Sequence, residues 1–418
     1  MSTKPRYALI VSVEGLGTNL VGCYGGAIAP TKNLDSFACR SIVFDQFWAD
    51  TLRPVDVLES MWTGKHFASR CNDPSANCHA LFERAMLITD SVEVIEESTR
   101  VDFGSTLLIE TQSDESEEGD QTQITRLFEA ALGQWATQLE EYPVLWIHSQ
   151  GLNGVWDAPY EYRCVMCDEG DPEPPFETIP GVLEITEETD PDEVFGLACA
   201  MGGQAMVLDD AWSMIEEILG ELGIADDCLQ VLAGVQGYPI GEHGWVGQGA
   251  DSLYAEALHL PLVLRPGKQL DVGIRVPFMV QPNSILKTLC NWLGVDDAEV
   301  ISDVMSTDLV SEVEALPAED WPTKNQLAYS CIEGQVHVSV PAWSCRWSAG
   351  AQSAGIDAER VELFATPDDR WQQNEVSQRA QSIVEELTER RDAWLRCCVE
   401  KKQVEWAPLG SELTHPIR

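Results

Sequence analysis

Apolar residues run almost without interruption from Tyr7 to Val13, in Tyr-Ala-Leu-Ile-Val-Ser-Val, before the chain turns polar at Glu14-Gly15. So little alternation predicts a central strand of a parallel sheet, covered on both faces. Shorter versions of the pattern recur at 42–48, 85–89, 106–109, 143–148, 229–233 and 261–264. Between them the spacing lengthens to that of helices. Residues 31–38 begin with polar capping residues, and 54–62 has proline at its first helical position, with Val57, Leu58, Met61 and Trp62 on one side and Thr63-Gly-Lys65 at its end. Residues 125–139 read as a helix, Asp190-Pro191 opens a long one marked by Val207, Ala211, Met214, Ile215, Ile218 and Leu219, 253–258 is a short one, and 285–293 closes at Gly294.

Strands alternating with helices predict an α/β fold, with a mostly parallel central sheet and helices on both faces. From about Trp321 the character changes: Gln335-Val-His-Val-Ser-Val340 alternates, 361–364 reads as a strand and 377–397 as a charged amphipathic helix. A small antiparallel sheet with a packed helix is expected there, dividing the chain into 1–315 and 316–418. The acidic stretch 112–121 reads as a loop with no apolar face, and the proline- and acid-rich stretch 168–192 as a surface loop or lid.

In an open α/β sheet ligands bind beyond the carboxyl ends of the strands, so Glu14 stands where a first metal ligand or catalytic acid is expected. If 143–148 lies parallel to the opening strand, His148 arrives at the same edge.

Charge narrows the partners. Against 26 basic residues the 418-residue chain carries 69 acidic ones, a formal charge of -43, which argues against nucleic acid and anionic membrane surfaces. A solvated acidic surface is the expected role, and an acidic interaction or assembly subunit the rival. No apolar span reaches membrane length and Met1 to Tyr7 leads straight into the first strand, so a soluble, cytoplasmic protein is expected. Thirteen cysteines are sparse for a disulfide scaffold of this size. Cys164-Val-Met-Cys167 and Cys71 with Cys78-His79 have metal-like spacing but no matching second pair, and structural thiols are expected.

The order of the motifs resembles that of the sulfatase family of the alkaline phosphatase superfamily. Residues 9–15, Gly22-Cys-Tyr-Gly25, Thr31-Lys-Asn-Leu-Asp35, Thr63-Gly64, Trp146-Ile-His148, Gly241-Glu-His-Gly244, Leu253-Tyr-Ala-Glu-Ala257, Pro261-Leu-Val-Leu264 and Val361-Glu-Leu-Phe364 with Pro367-Asp-Asp369 carry it. The resemblance implies a divalent cation held by acidic residues and a cysteine or serine converted to formylglycine. Under that correspondence the paired aspartates fall on Glu14 and Gly15, and the second pair on Val235 and Gln236 in Gly234-Val-Gln-Gly237. The nucleophile falls on Pro54, with Asp56 and Leu58 at the following proline and arginine; Thr51 substitutes only if the helix start shifts, and Cys39 lacks the flanking residues. His148 keeps the first histidine position and Asn153 takes the second.

Valine cannot ligate a cation, and one glutamate with one amide is a poor remnant of six oxygen ligands. The expected protein is therefore a catalytically inactive, sulfatase-like pseudoenzyme with no cofactor, binding a small anionic ligand or a protein partner. Glu14 is expected to pair with Lys65 or Arg53, His148 to be a hydrogen-bonded strand-end residue, His243 to hold a turn, and Lys65 and Lys268 to be solvated lysines that could still meet an anion. The alternative is a divergent ester hydrolase of sulfuric or phosphoric esters, using Thr51, Asp56 or Glu59 with a calcium or magnesium ion at Glu14, Gln236 and His148.

Overall fold

A computed structural model of the chain describes residues 6–70, 80–111, 122–177, 179–247, 253–269, 273–295, 306–315, 326–349, 359–400 and 407–415. The expectations for 112–121 and for Cys71, Cys78 and His79 lie outside the described residues.

In chain order the strands are β1 (Tyr7–Val13), β2 (Ile42–Trp48), β3 (Ala85–Thr89), β4 (Ser105–Leu108), β5 (Val144–Ser149), β6 (Leu183–Glu184), β7 (Cys228–Gly234), β8 (Trp245–Val246), β9 (His259–Pro266), β10 (Ile274–Val280), β11 (Ala328–Ile332), β12 (Gln335–Val340), β13 (Trp343–Ser348) and β14 (Arg360–Ala365). Eight of them form the central sheet in the order β10-β2-β9-β7-β1-β5-β3-β4. Only β9 runs against its neighbours, β2 and β7; every other pair in this sheet is parallel. The carboxyl ends of β1, β2, β3, β5 and β7 therefore share one edge.

The unbroken apolar run of β1 is explained by its two covered faces. Ala8 and Ile10 join a core with Val57, Leu58, Met61 and Trp62 of the helix Pro54–Thr63 and with Leu286 and Leu289 of the helix Ser284–Leu293. Leu9, Val11 and Val13 join a second core with Phe37, Leu127, Phe128 and Trp212, on the helices Lys32–Ala38, Gln123–Ala136 and Pro191–Glu221. Gly64 and Gly294 end their helices in left-handed conformations that cost glycine least.

The edge strand β10 was not expected from the sequence, because Pro277 interrupts its pattern. Its register shifts between Val276 and Met279, so the proline sits where no ladder hydrogen bond is required. The segment read as a lid is mostly irregular, apart from β6, which pairs with β8.

The antiparallel sheet β11-β12-β13-β14 turns Val338, Val340, Cys345, Trp347 and Leu363 toward Ile383, Leu387 and Trp394 of the helix Gln381–Glu400. Alternation along β12 predicts a wet opposite face, yet His337, Ser339, Ser344, Arg346 and Glu362 are all buried. That polar face docks on the main sheet's edge, where Trp48 stacks between the rings of His259 and His337, at 4.9 and 5.2 Å. Among the described residues no helix is long and apolar enough to cross a membrane.

Candidate functional site

Parallel pairing of β1 with β5 sets Ser12 beside His148, and the next turn of each chain brings Glu14 and Asn153 over them. His148 is wholly buried; its Nδ1 lies 3.0 Å from Ser12 Oγ and its Nε2 3.1 Å from Glu14 Oε1. A carboxylate only accepts, so in the neutral ring Nε2–H donates to Glu14 and Nδ1 accepts the Ser12 hydroxyl. Trp146 Nε1 donates to the same Ser12 oxygen at 2.9 Å. Asn153 Nδ2 donates to Glu14 Oε2 at 3.3 Å and to Gln236 Oε1 at 2.9 Å. Serine, histidine and glutamate thus share the connectivity of an acyl-transfer triad, but Ser12 is fully buried under the sheet edge and offers no path to a substrate carbonyl.

The backbone around this network interlocks. Glu14 N donates to Ser149 O and Leu152 N to Glu14 O, both at 3.0 Å. Gly15 has φ +74, and a Cβ there would lie 2.7 Å from Leu152 Cβ and 3.1 Å from Asn153 Oδ1. A side chain is excluded both by conformation and by space.

These residues do not fit a hard divalent cation. Glu14 is the single carboxylate of the set, and both its oxygens already accept protein hydrogen bonds. Val235 is buried in the core with its N–H on Val13 O, and Gln236 turns its oxygen to Asn153. Among the described residues, no three histidine, cysteine, aspartate or glutamate side chains are placed to hold a metal.

The other expected residues lie on the neighbouring elements. Thr51 is buried and its hydroxyl has no hydrogen-bond partner among the described residues; Pro54 opens its helix. Asp56 lies 3.5 Å from Arg53, with its carboxyl raised by burial, and Glu59 pairs with Arg70 and Arg100. Lys65 is half-buried just beyond the end of this helix. The expected pairing of Glu14 with Lys65 or Arg53 gives way to His148 and Asn153, because Arg53 points along the edge to Glu93, 2.6 Å away. Lys268 follows β9, the reversed strand, and so pairs with Asp226 at the opposite edge, out of reach of the cleft. Cys167 meets Cys199 of the long helix, with sulfurs 3.7 Å apart.

Sequence reasoning missed Asp90, although it follows a buried strand just as Glu14 does. Asp90 is 4% exposed and accepts Gln150 N–H at 2.8 Å, while Gln150 Nε2 donates back to Asp90 O at 2.6 Å. Burial pushes its carboxyl up to about 6, against the Gln150 N–H and the nearby His148. It lines a cavity of about 210 Å³ with Thr111, Gln123, Gln150, Asn153 and Ile179.

This architecture is the fold of sulfatases and phosphonate monoester hydrolases. BT4656, solved in complex with its substrate D-glucosamine-2-N,6-O-disulfate, matches with TM-score 0.74 and 14% identity over 97% of this chain and 100% of its own. The 2-O GAG sulfatase BT1596 matches with TM-score 0.70 and 14% identity over 97% and 96%. The phosphonate monoester hydrolase of Agrobacterium radiobacter matches with TM-score 0.69 and 14% identity over 94% and 95%. No protein-family profile and no curated protein sequence matches the chain.

Proposed function

We propose that this chain is a sulfatase-like protein that binds a small molecule in its cleft without cleaving an ester. One observation carries the reading: the Glu14 carboxylate is closed by His148 and Asn153, at 3.1 and 3.3 Å, where a metal-dependent hydrolase needs open oxygen ligands. Val235 and Pro54 support it, since neither can supply a ligand or a nucleophile. Calorimetry with calcium, magnesium and manganese should register no stoichiometric binding, and sulfate, phosphate and phosphonate esters should not turn over. Tight metal binding that disappears in Glu14→Ala would sink the proposal.

A second reading, a divergent ester hydrolase using Thr51, Asp56 or Glu59, is favoured by Asp90. A carboxyl raised to about 6 beside His148 can give and take protons near neutral pH. Turnover abolished by both Glu14→Ala and Asp90→Asn would establish it.

A further inference from the structure

The cavity beside the Glu14 network is lined by one carboxyl, one hydroxyl and three amides among the described residues. Of its polar side chains, Gln123 donates from Nε2 to Ile109 O at 3.3 Å and accepts Arg126 Nη2 at 2.6 Å, so both ends of the amide engage the protein. Gln150 spends an Nε2 proton on Asp90 O, and Asn153 Nδ2 bridges Glu14 and Gln236. Each amide nitrogen thus spends at least one proton on the protein. Asp90 gives one oxygen to Gln150 N–H, and an ionised carboxyl has capacity for several more donors. Among the described residues, no lysine, arginine or histidine lines the cavity. The rim residues Thr111 and Ile179 border sequence stretches, 112–121 and 168–177, that each contain five acidic residues and no basic one.

An oxyanion ester would meet no cation here and would face Asp90 inside a protein of charge -43. A donor-rich cation meets the reverse: a nearly buried carboxylate on the cavity wall, where a charge-assisted hydrogen bond is strongest. We infer that the cavity at Asp90, Gln150 and Thr111 is a binding site for a small molecule bearing a primary ammonium group, with Asp90 its counter-ion. The inference names the ligand class for the binding function proposed above and rests on that reading.

Saturation-transfer NMR on the full chain at pH 7.5, with three probes of one size and different charge, tests it. Ethanolamine should bind, ethylene glycol at least tenfold more weakly, and glycolate not at all. Asp90→Asn should remove the difference between ethanolamine and ethylene glycol. Thr111→Lys, at an exposed rim position, should expel ethanolamine and admit glycolate even if the Asp90 variant fails to fold. Preference for glycolate, equal binding of the first two probes, or no binding of any probe at 50 mM overturns the inference. Ester turnover together with ethanolamine binding would overturn the non-catalytic reading while leaving the ammonium site in place.

Discussion

Two regions contain the motifs behind the sulfatase resemblance, and they are built differently. At the carboxyl edge of β1 and β5, Glu14 meets His148 and Asn153, and Asn153 donates in turn to Gln236. At the junction with the second sheet, motifs more than a hundred residues apart close on one another as charges and rings. His243 lies 2.6 Å from Glu256, donates from Nε2 to Gln372 O at 3.0 Å and stacks on Tyr254 at 3.6 Å. Tyr254 OH reaches Glu362 at 3.2 Å, and Arg346 holds Glu362 through Nε at 2.9 Å and through Nη2 while its guanidinium covers the Tyr254 ring at 4.1 Å. The resemblance is therefore strongest where it fastens the two sheets together. The residues implied in chemistry by the resemblance form a smaller network, in which one carboxylate bonds an imidazole and an amide.

That contrast predicts unequal consequences of mutation. Glu362→Ala strands the buried Arg346 and should cost about 3–5 kcal/mol in denaturant unfolding, with early loss of the Trp343, Trp347 and Trp394 signals. A cost no larger than that of a surface substitution would erase the distinction between the regions.

Acid should act on the same junction. Burial lowers His337 from 6.5 to about 3, so below pH 6.5 the unfolded chain takes up the proton first. Its contribution is intact above about pH 7 and is lost as pH falls toward 3, by about 3 kcal/mol at pH 4. Unfolding curves of the wild type and His337→Gln between pH 8 and pH 4 should converge toward the acid end; parallel curves would contradict the assignment.

Asp90 has the opposite sign. Its carboxyl is raised from 3.8 to about 6, so the folded state keeps the proton longer and loses stability as pH rises through 6. Asp90→Asn should gain roughly 1–3 kcal/mol at pH 8 and nothing at pH 4, read by thermal unfolding. The smallest effect belongs to Glu14→Gln, which keeps an acceptor for His148: less than about 1 kcal/mol, with melting unaffected by magnesium or calcium in either protein. A loss as large as that of Glu362→Ala would make the cleft, too, a charge-stapled structure.

Much of the central sheet was legible because its strands are buried on both faces, and burial writes itself as apolar runs. That Glu14 and His148 reach the same edge was legible too, since it follows from parallel pairing, but their hydrogen bond was not: Glu14 was expected to pair with Lys65 or Arg53. Asp90 escaped attention because nothing in Thr89-Asp90-Ser91 differs from an ordinary helix-capping turn; Ser91 does accept Val94 N–H, and only tertiary placement buries its neighbour. Ser12 escaped for a related reason: a lone serine in an apolar strand gains meaning from a partner 136 residues away. The burial of His337 and Ser339 was not legible, because alternation reports which residues differ and cannot tell water from a polar interface.

Gly15 bears on engineering. An aspartate there would supply the second carboxylate that the resemblance implies, but the new Cβ would collide with Leu152 Cβ at 2.7 Å while adopting φ +74. Relief requires moving the 150–153 turn, which takes Asn153 and the Gln150 clasp on Asp90 with it. A paired carboxylate at this strand end requires rebuilding the turn and the strand end together, so libraries that introduce one should vary 14–15 and 150–153 as one block.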